Sequence, residues 1–498
     1  MSERCEEEMK IALMTNNYKP IVAGVPISIE RLARGLEELG HEVTVFAPTY
    51  KEQQDMENVF RYSTCLNHFI GGIVLPNPFD ARIEREFKEH SYDIIHVHHP
   101  MLIGRMAVHL SRKYHIPLVF TYHTRYEQYV RSYTKGIVRM NRFMPLYLRS
   151  FMRHCNFVFA PTEGMQKYLT DTCRIRPEKT GILPTGIEKE NFDIEPEEGR
   201  RIRRQYGAEN MPFLLTVSRM ANEKNVRFLL DSLARVKELY GKPFRMLMVG
   251  DGPDREGLEK HSRELGLEDT VIFAGTVCNE EIAPYFKAAD AFLFASKTET
   301  QGIVVLEAFA GAAPVIAVRA SGVEDLVDDG INGILTEEDT QEYAQAVAEY
   351  LAETDNCTVN KDIACEDRKS RAAEGDTACK EAGIAEGDTA CKVAGIAEGN
   401  TMCEETHMAV GNTVCEETQS HMDMNAVWKI EGRKSADGVL EHGIYRKLPY
   451  AEMAENAFQK GTLYREEAVA LKAVHYYNSV IAENVTQKKR NIRLLPAG

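Results

Sequence analysis

Twice along this chain, short apolar runs alternate with amphipathic helical patterns, and that alternation narrows the possible fold more than any other feature. KIALMTNN (10–17), HEVTVFAP (41–48), DIIHVHH (93–99) and IPLVFTYHT (116–124) are apolar runs, as expected of strands covered on both faces. Between the first two, IERLARGLEELG (29–40) repeats Ile29, Leu32, Leu36 and Leu39 at helical spacing and places Gly40 where a helix C′ glycine belongs. After the polar stretch IEPEEGRRIRRQYG (194–207) the pattern restarts. FLLTVSR (213–219), FRMLMVGDG (244–252), VIFAG (271–275), AFLFAS (291–296) and PVIAV (314–318) read as strands, with helices over 226–241 and 254–266. Two open, doubly wound parallel α/β domains are expected, and such sheets bind ligands outside the carboxyl ends of their strands.

The expected boundaries are 1–193 for the first domain and 194–353 for the second, an insertion at 354–445, and C-terminal helices over 446–498. Within the insertion, 373–420 holds four tandem twelve-residue repeats, with cysteines in register at 379, 391, 403 and 415. Residues 351–427 contain no Phe, Tyr or Trp, and 355–420 carry fourteen acids against six bases. So little apolar mass cannot offset the entropy of ordering, which reads as an acidic low-complexity segment. A metal array is the other reading, but one thiol per twelve residues lacks the close pairing of zinc sites.

Composition excludes several function classes. No uncharged apolar run is long enough to span a bilayer, and MSERCEEEMK has no apolar signal core. The eleven cysteines fit no disulfide framework, so a cytoplasmic protein with reduced thiols is expected. A net charge of −15 disfavours nucleic acid as a partner. Against that average, residues 101–160 hold ten Lys and Arg and a single acid, Glu127.

Three motifs carry chemistry. In TETQGIVVLEAFAGAAPVIAV (298–318), Glu299 and Glu307 are separated by seven residues, with Gly302 between them at an expected helix start. Backbone N–H groups at such a start suit an anionic or hydroxyl-rich ligand. The pair could also be two solvated glutamates, or the two carboxylates of a glycosidase. SRMANEK (218–224) sets Arg219 and Lys224 after a strand, where two cations suit a diphosphate. VGDGP (249–253) is a glycine-bearing strand-end turn without the third glycine of a dinucleotide fingerprint.

Together, the Gly24 loop, TYHT (121–124), PTGI (184–187), SRMANEK, VGDGP and the Glu299/Glu307 block resemble retaining glycosyltransferases of the GT-B fold, sequence family 4, over roughly residues 9–352 and the C-terminal helices. HHPMLIGRMA and TYHTRYEQYV are similar to the diacylglycerol glucosyltransferase branch. The resemblance implies two Rossmann-like domains facing a crevice, the first on the acceptor and membrane side and the second holding a nucleotide sugar. It implies that Arg219 and Lys224 bind the donor diphosphate and Glu307 the ribose. Glu299, with the backbone of Gln301, Gly302, Ile303 and Val304, would hold the sugar hydroxyls. Gly24 would allow close approach of a phosphate, and His123 would sit over the reacting sugar; a histidine at a strand end otherwise serves structure as readily as chemistry. UDP-hexose is the implied co-substrate, with no cofactor or metal required, and no DxD-type motif stands out. Asn16 occupies a loop position where relatives often carry an acid, so it cannot act as a base.

Within the basic segment, RMNRFMPLYLRSFMRHCNFVF (139–159) interleaves Arg139, Arg142, Arg149 and Arg153 with Phe143 and Phe151, as a membrane-interface helix would. Pro145 argues against one continuous helix. The expectation is peripheral contact with anionic lipid at the inner face of the plasma membrane and a lipid acceptor. A soluble or polysaccharide acceptor and a catalytically silent scaffold are the competing readings.

Overall fold

The computed structural model describes residues 8–355 and 450–493, except 52, 54–55, 67–73, 78 and 127–137, and no side chains at 138–143, 355 and 487–493. The twelve-residue repeats therefore lie outside the described residues.

The first half is built on a seven-stranded sheet of order β3-β2-β1-β6-β7-β8-β9, parallel throughout. Its strands are β1 (Lys10–Met14), β2 (Glu42–Pro48), β3 (Val59–Tyr62), β6 (Ile94–Val97), β7 (Leu118–Thr121), β8 (Phe157–Ala160) and β9 (Thr180–Ile182), with β4 (Thr64–Leu66) and β5 (Leu75–Pro76) in a separate ribbon. The second half carries β10 (Phe213–Val217), β11 (Arg245–Val249), β12 (Val271–Gly275), β13 (Ala291–Phe294), β14 (Val315–Val318) and β15 (Gly333–Thr336), in order β12-β11-β10-β13-β14-β15, again all parallel. Strand order reverses between β1 and β6 in one sheet and between β10 and β13 in the other, the two places where a ligand crevice opens.

Alternate side chains of each strand enter opposite layers. In β1, Ala12 and Met14 join one apolar layer while Ile11 and Leu13 join the other. The first layer is covered by α2 (Ala81–Glu89), α3 (Ile103–Tyr114) and α4 (Val138–Met152). The opposite face is covered by α1 (Gly24–Glu38) and by a helix from the far end of the chain. In the second half, α5 (Val226–Tyr240) and α7 (Thr340–Asp355) cover one face, while α6 (Ile303–Ala310) and α8 (Tyr450–Thr462) pack on the other. The last helix, α9 (Glu466–Arg493), returns to the first half and lays Val469, Ala470, Ala473, Val474 and Tyr477 on its sheet. A Cβ on Gly35 of α1 would stand 2.8 Å from that of Ala470, so glycine sets how closely these helices approach.

Two readings are corrected here. Helix α4 runs through Pro145 without interruption; the missing N–H costs one hydrogen bond that the surrounding packing offsets. Phe151, read as membrane-facing, is 5% exposed and meets Phe120 edge-on at 5.2 Å. It belongs to the core, because that face of α4 covers the sheet. Arg149 and Arg153 are on described residues, whereas the side chains of Arg139, Arg142 and Phe143 lie outside them.

Candidate active site

At the carboxyl end of β10 the chain turns through Ser218–Met220 into a 3-10 turn, Asn222–Lys224, before α5 begins. The turn after β11 holds this loop in place. Gly250 has φ +127°, and a Cβ there would sit 2.0 Å from the Ser218 carbonyl oxygen; at Gly252 it would sit 2.3 Å from that of Met220. Only glycine permits such contacts, so the two glycines of VGDGP let this turn pack directly against the β10 loop.

Past β13, Glu299 meets that loop. Lys224 Nζ lies 2.5 Å from Glu299 Oε1, and Ser296 Oγ donates to the same oxygen at 2.7 Å. Burial would raise the Glu299 pKa, but the charge and hydrogen bond of Lys224, with the Ser296 hydroxyl, outweigh it and hold the carboxyl below its usual range. Arg219, half-exposed, pairs with Glu223 one turn on. Both cations are thus held by neighbouring acids at the strand end.

Gly302 takes φ +82° and caps α6, so the amides at its start point outward from the turn. Gly24, at the first residue of α1, faces this point: a Cβ on it would lie 3.5 Å from Ile303 Cδ1. The Gln301 side chain, 3% exposed, accepts from Thr185 N–H at 2.9 Å, tying the helix start to the PTGI loop of the first half. Thr300 Oγ1 donates to the His123 carbonyl at 2.7 Å. The structure therefore brings Gly24, His123, Arg219, Lys224, Glu299 and the 301–304 turn to one crevice between the two switch points.

Glu307 has a partner that the motif does not announce. Arg31 of α1, 1% exposed, donates from Nη2 to Glu307 Oε1 at 2.8 Å and from Nη1 to the Gly186 carbonyl at 3.2 Å, with Nε 3.5 Å from Glu188. Glu307 is thereby fixed in the seam between the halves with one oxygen already engaged.

His123 stands at the end of a row of rings. Its Nε2 is 2.8 Å from His98 Nδ1, and His98 stacks on His96 at 4.3 Å. His96 is held by Tyr477 of α9 and by Thr121, each at 2.6 Å. Burial lowers the pKa of these rings and of neighbouring His99, whose Nδ1 meets Thr15 and Asn16: His96 and His98 fall well below the usual range, His99 to about 4 and His123 to about 3, so all four are neutral at pH 7. His98 Nε2 is buried without a hydrogen-bond partner among the described residues. Motif reading passed over His96 and His98, although their i, i+2 spacing in HVHH puts them on one side of the chain as it leaves β6. Asn16 spans the turn into α3, donating to the Met101 carbonyl at 3.0 Å and accepting from Ile103 N–H at 3.2 Å. That is a structural duty.

The profile described as Glycosyltransferase Family 4 matches residues 22–191, and that of Glycosyl transferases group 1 matches 211–353. The chain is 33% identical over 343 residues to alpha-monoglucosyldiacylglycerol synthase of Streptococcus pneumoniae, covering 66% of this chain and 75% of that protein. It is 29% identical to the enzyme of the same name from Acholeplasma laidlawii, covering 66% and 84%. Among solved structures, Anabaena HepE in complex with UDP superposes with a TM-score of 0.55 at 22% identity, covering 70% of this chain and 91% of that one. Sucrose-phosphate synthase from Thermosynechococcus elongatus gives 0.65 at 17% identity, covering 96% and 100%. These structures share the GT-B arrangement of two Rossmann-like halves.

Proposed function

The chain belongs to glycosyltransferase family 4, and from that premise we propose that it moves a hexose, glucose in the first instance, from a UDP-sugar to a lipid hydroxyl such as that of diacylglycerol, with retention at the anomeric carbon. The observation that carries the reading is the meeting of Arg219, Lys224 and Glu299 with the start of α6 at the β10/β13 switch point, opposite Gly24. The names of the two synthases support a lipid acceptor and glucose; the UDP in HepE supports the nucleotide.

In the proposed reaction, the bond from the sugar's C1 to the diphosphate oxygen breaks and a bond from C1 to the acceptor oxygen forms on the same face. The acceptor proton passes to the leaving diphosphate, whose growing charge Arg219 and Lys224 stabilise after exchanging Glu223 and Glu299 for phosphate oxygens. Glu299, released from Lys224, accepts from sugar hydroxyls, while the 301–304 amides donate to them. Glu307 keeps its Arg31 bond and offers its other oxygen to the ribose. His123, neutral at pH 7, bonds a sugar hydroxyl through whichever nitrogen His98 leaves open. Two side-chain cations take the part a metal would otherwise play, so transfer should persist in excess EDTA. Among the described residues no helix is long and apolar enough to cross a membrane; attachment to the inner face through the basic segment, Arg149 and Arg153 included, is part of the proposal.

The test is transfer of radiolabel from UDP-glucose into organic-extractable product with diacylglycerol in anionic vesicles. Arg219→Ala and Glu299→Ala should each lower kcat/KM by at least a hundredfold, the scale of a lost transition-state contact. Measurable UDP binding with no labelled lipid would defeat the lipid acceptor and leave a soluble or polysaccharide one.

A further inference from the structure

The turn that leaves β6, HHPMLIGRMA (98–107), is held more tightly than a connection needs. Leu102, just before α3, takes φ +54°, a backbone conformation rare for any residue but glycine. The Asn16 side chain brackets it through its bonds to the Met101 carbonyl and the Ile103 N–H. Gly104 packs on the same turn: a Cβ there would stand 2.5 Å from the His99 carbonyl oxygen. Strain of this kind persists only where the surroundings over-determine it. What they hold in place is His99.

The His99 ring is fixed as firmly as its backbone. The Asn16 N–H donates to Nδ1 at 3.2 Å. The Thr15 hydroxyl, 3.1 Å from the same nitrogen, donates to the Asn17 carbonyl at 2.8 Å. A main-chain N–H cannot accept, so Nδ1 is the bare nitrogen and the proton of the neutral ring sits on Nε2. Nε2–H has no hydrogen-bond partner among the described residues and, unlike His98 Nε2, is not sealed from solvent. The contrast with His98 and His123 is chemical, because their facing nitrogens share one proton while His99 has a single assigned tautomer. His99 also stands where an acceptor would arrive, at the β1/β6 switch point of the first half, close enough to His123 for a charge on it to lower the pKa of that ring.

We propose that His99 reads the acceptor: its Nε2–H donates to an oxygen vicinal to the hydroxyl that attacks C1, so the site prefers acceptors with a 1,2-dioxygen unit. A donor on the attacking oxygen itself would withdraw electron density and occupy a lone pair. On the neighbouring oxygen it aligns the hydroxyl without that cost. Because Asn16 occupies Nδ1, His99 takes no proton from the acceptor, which still passes its proton to the leaving diphosphate. The inference rests on the glycosyl-transfer reading above and holds for a lipid or a soluble polyol alike.

The experiment follows UDP release from UDP-glucose by the full-length chain as acceptor concentration rises, with the rate in water alone subtracted. Glycerol and dioctanoylglycerol carry a vicinal oxygen, whereas 1-propanol and 1-octanol do not. The wild type should favour glycerol over 1-propanol, and dioctanoylglycerol over 1-octanol, by about tenfold or more in kcat/KM, the worth of one hydrogen bond. His99→Asn offers an oxygen where Nδ1 accepts from Asn16 but removes the outer N–H. It should cut the preference to below twofold while UDP affinity, measured by calorimetry, stays within twofold. His99→Gln gives up the Nδ1 contact but returns an N–H to the place of Nε2, and should recover at least half of the preference. The opposite order, with Asn keeping the preference and Gln losing it, would make His99 a prop of the turn and overturn the proposal. Equal losses for acceptors with and without a vicinal oxygen would overturn the assignment to that oxygen, and a wild type without preference in either pair would overturn it outright. Transfer to glycerol but not to dioctanoylglycerol would defeat the lipid acceptor alone, with His99 decided on glycerol and 1-propanol.

Discussion

Arg31 shows how much a single residue in the seam between halves can carry. Its guanidinium is 1% exposed and answers Glu307, which is itself 6% exposed. Removing one partner of a buried pair leaves the other charge without compensation, a loss of about 3–5 kcal/mol. Arg31→Ala should therefore lower the urea midpoint by an amount equivalent to that figure, and a change below about 1 kcal/mol would show that Glu188 and solvent hold the seam unaided. His98 offers a chemical counterpart. Its Nδ1 shares one proton with His123 Nε2, so the pair sets whether the remaining ring nitrogen of His123, Nδ1, donates or accepts in the sugar contact proposed above. As a positioning residue it should affect kcat more than donor KM: His98→Phe is expected to lower kcat about tenfold, the worth of one hydrogen bond. His98→Gln should restore part of the loss, and a change confined to KM would rule the role out. Neither role was legible from motifs. Arg31 lies inside an ordinary amphipathic repeat, and only the packing of α1 against α6 shows that it is buried.

At the scale of elements, reading was strongest where both faces of a strand are covered. The runs at 10–17, 41–48 and 213–219 contain β1, β2 and β10, because a parallel strand buried on both sides must be apolar throughout. It was weakest at α4, where a proline rule built on isolated helices met a helix held by tertiary packing. The strand-end histidines carry a consequence of burial. All four are neutral in the fold but would take a proton near pH 6.5 when unfolded, so the unfolded chain binds more protons as pH falls. Their contribution is complete above about pH 6.5 and is lost as pH drops below it, down to about 4 for His99 and about 3 for His123, at about 1.4 kcal/mol per pH unit for each ring. Unfolding free energies at pH 7, 6 and 5 should fall more steeply for the wild type than for His96→Gln/His98→Gln. Parallel slopes would mean that these rings protonate freely in the folded protein.

On the scale of the whole molecule, the decisive feature is that the chain's last helix belongs to its first sheet. Helix α9 crosses back beside the outgoing connection, where Ile187 and Arg465 pair as an isolated bridge and Glu466 N–H donates to the Ile187 carbonyl at 3.0 Å. It then buries Val469, Val474, Tyr477 and Val480 over Leu13, Val45 and Phe159. At about 1.5–3 kcal/mol for each large apolar side chain, that cover rivals the 5–15 kcal/mol by which a folded domain is stable. A chain ending at residue 449 should accordingly fail to fold, seen as insoluble protein without UDP binding. The repeats between these helices make a contrasting case. Tyr350 of α7 and Tyr450 of α8 stand 5.9 Å apart, so the chain leaves and re-enters the second half at one place, and residues 1–361 with 447–498 form a unit of their own. Replacing 362–446 with a flexible linker of about twenty residues, which spans roughly 25 Å on average, should keep the fold without straining that junction. UDP affinity is expected to stay within twofold of the full chain, measured by calorimetry. A larger loss would mean that the repeats act on the nucleotide half. An unchanged affinity accompanied by a loss of lipid product would instead give them a part in acceptor capture.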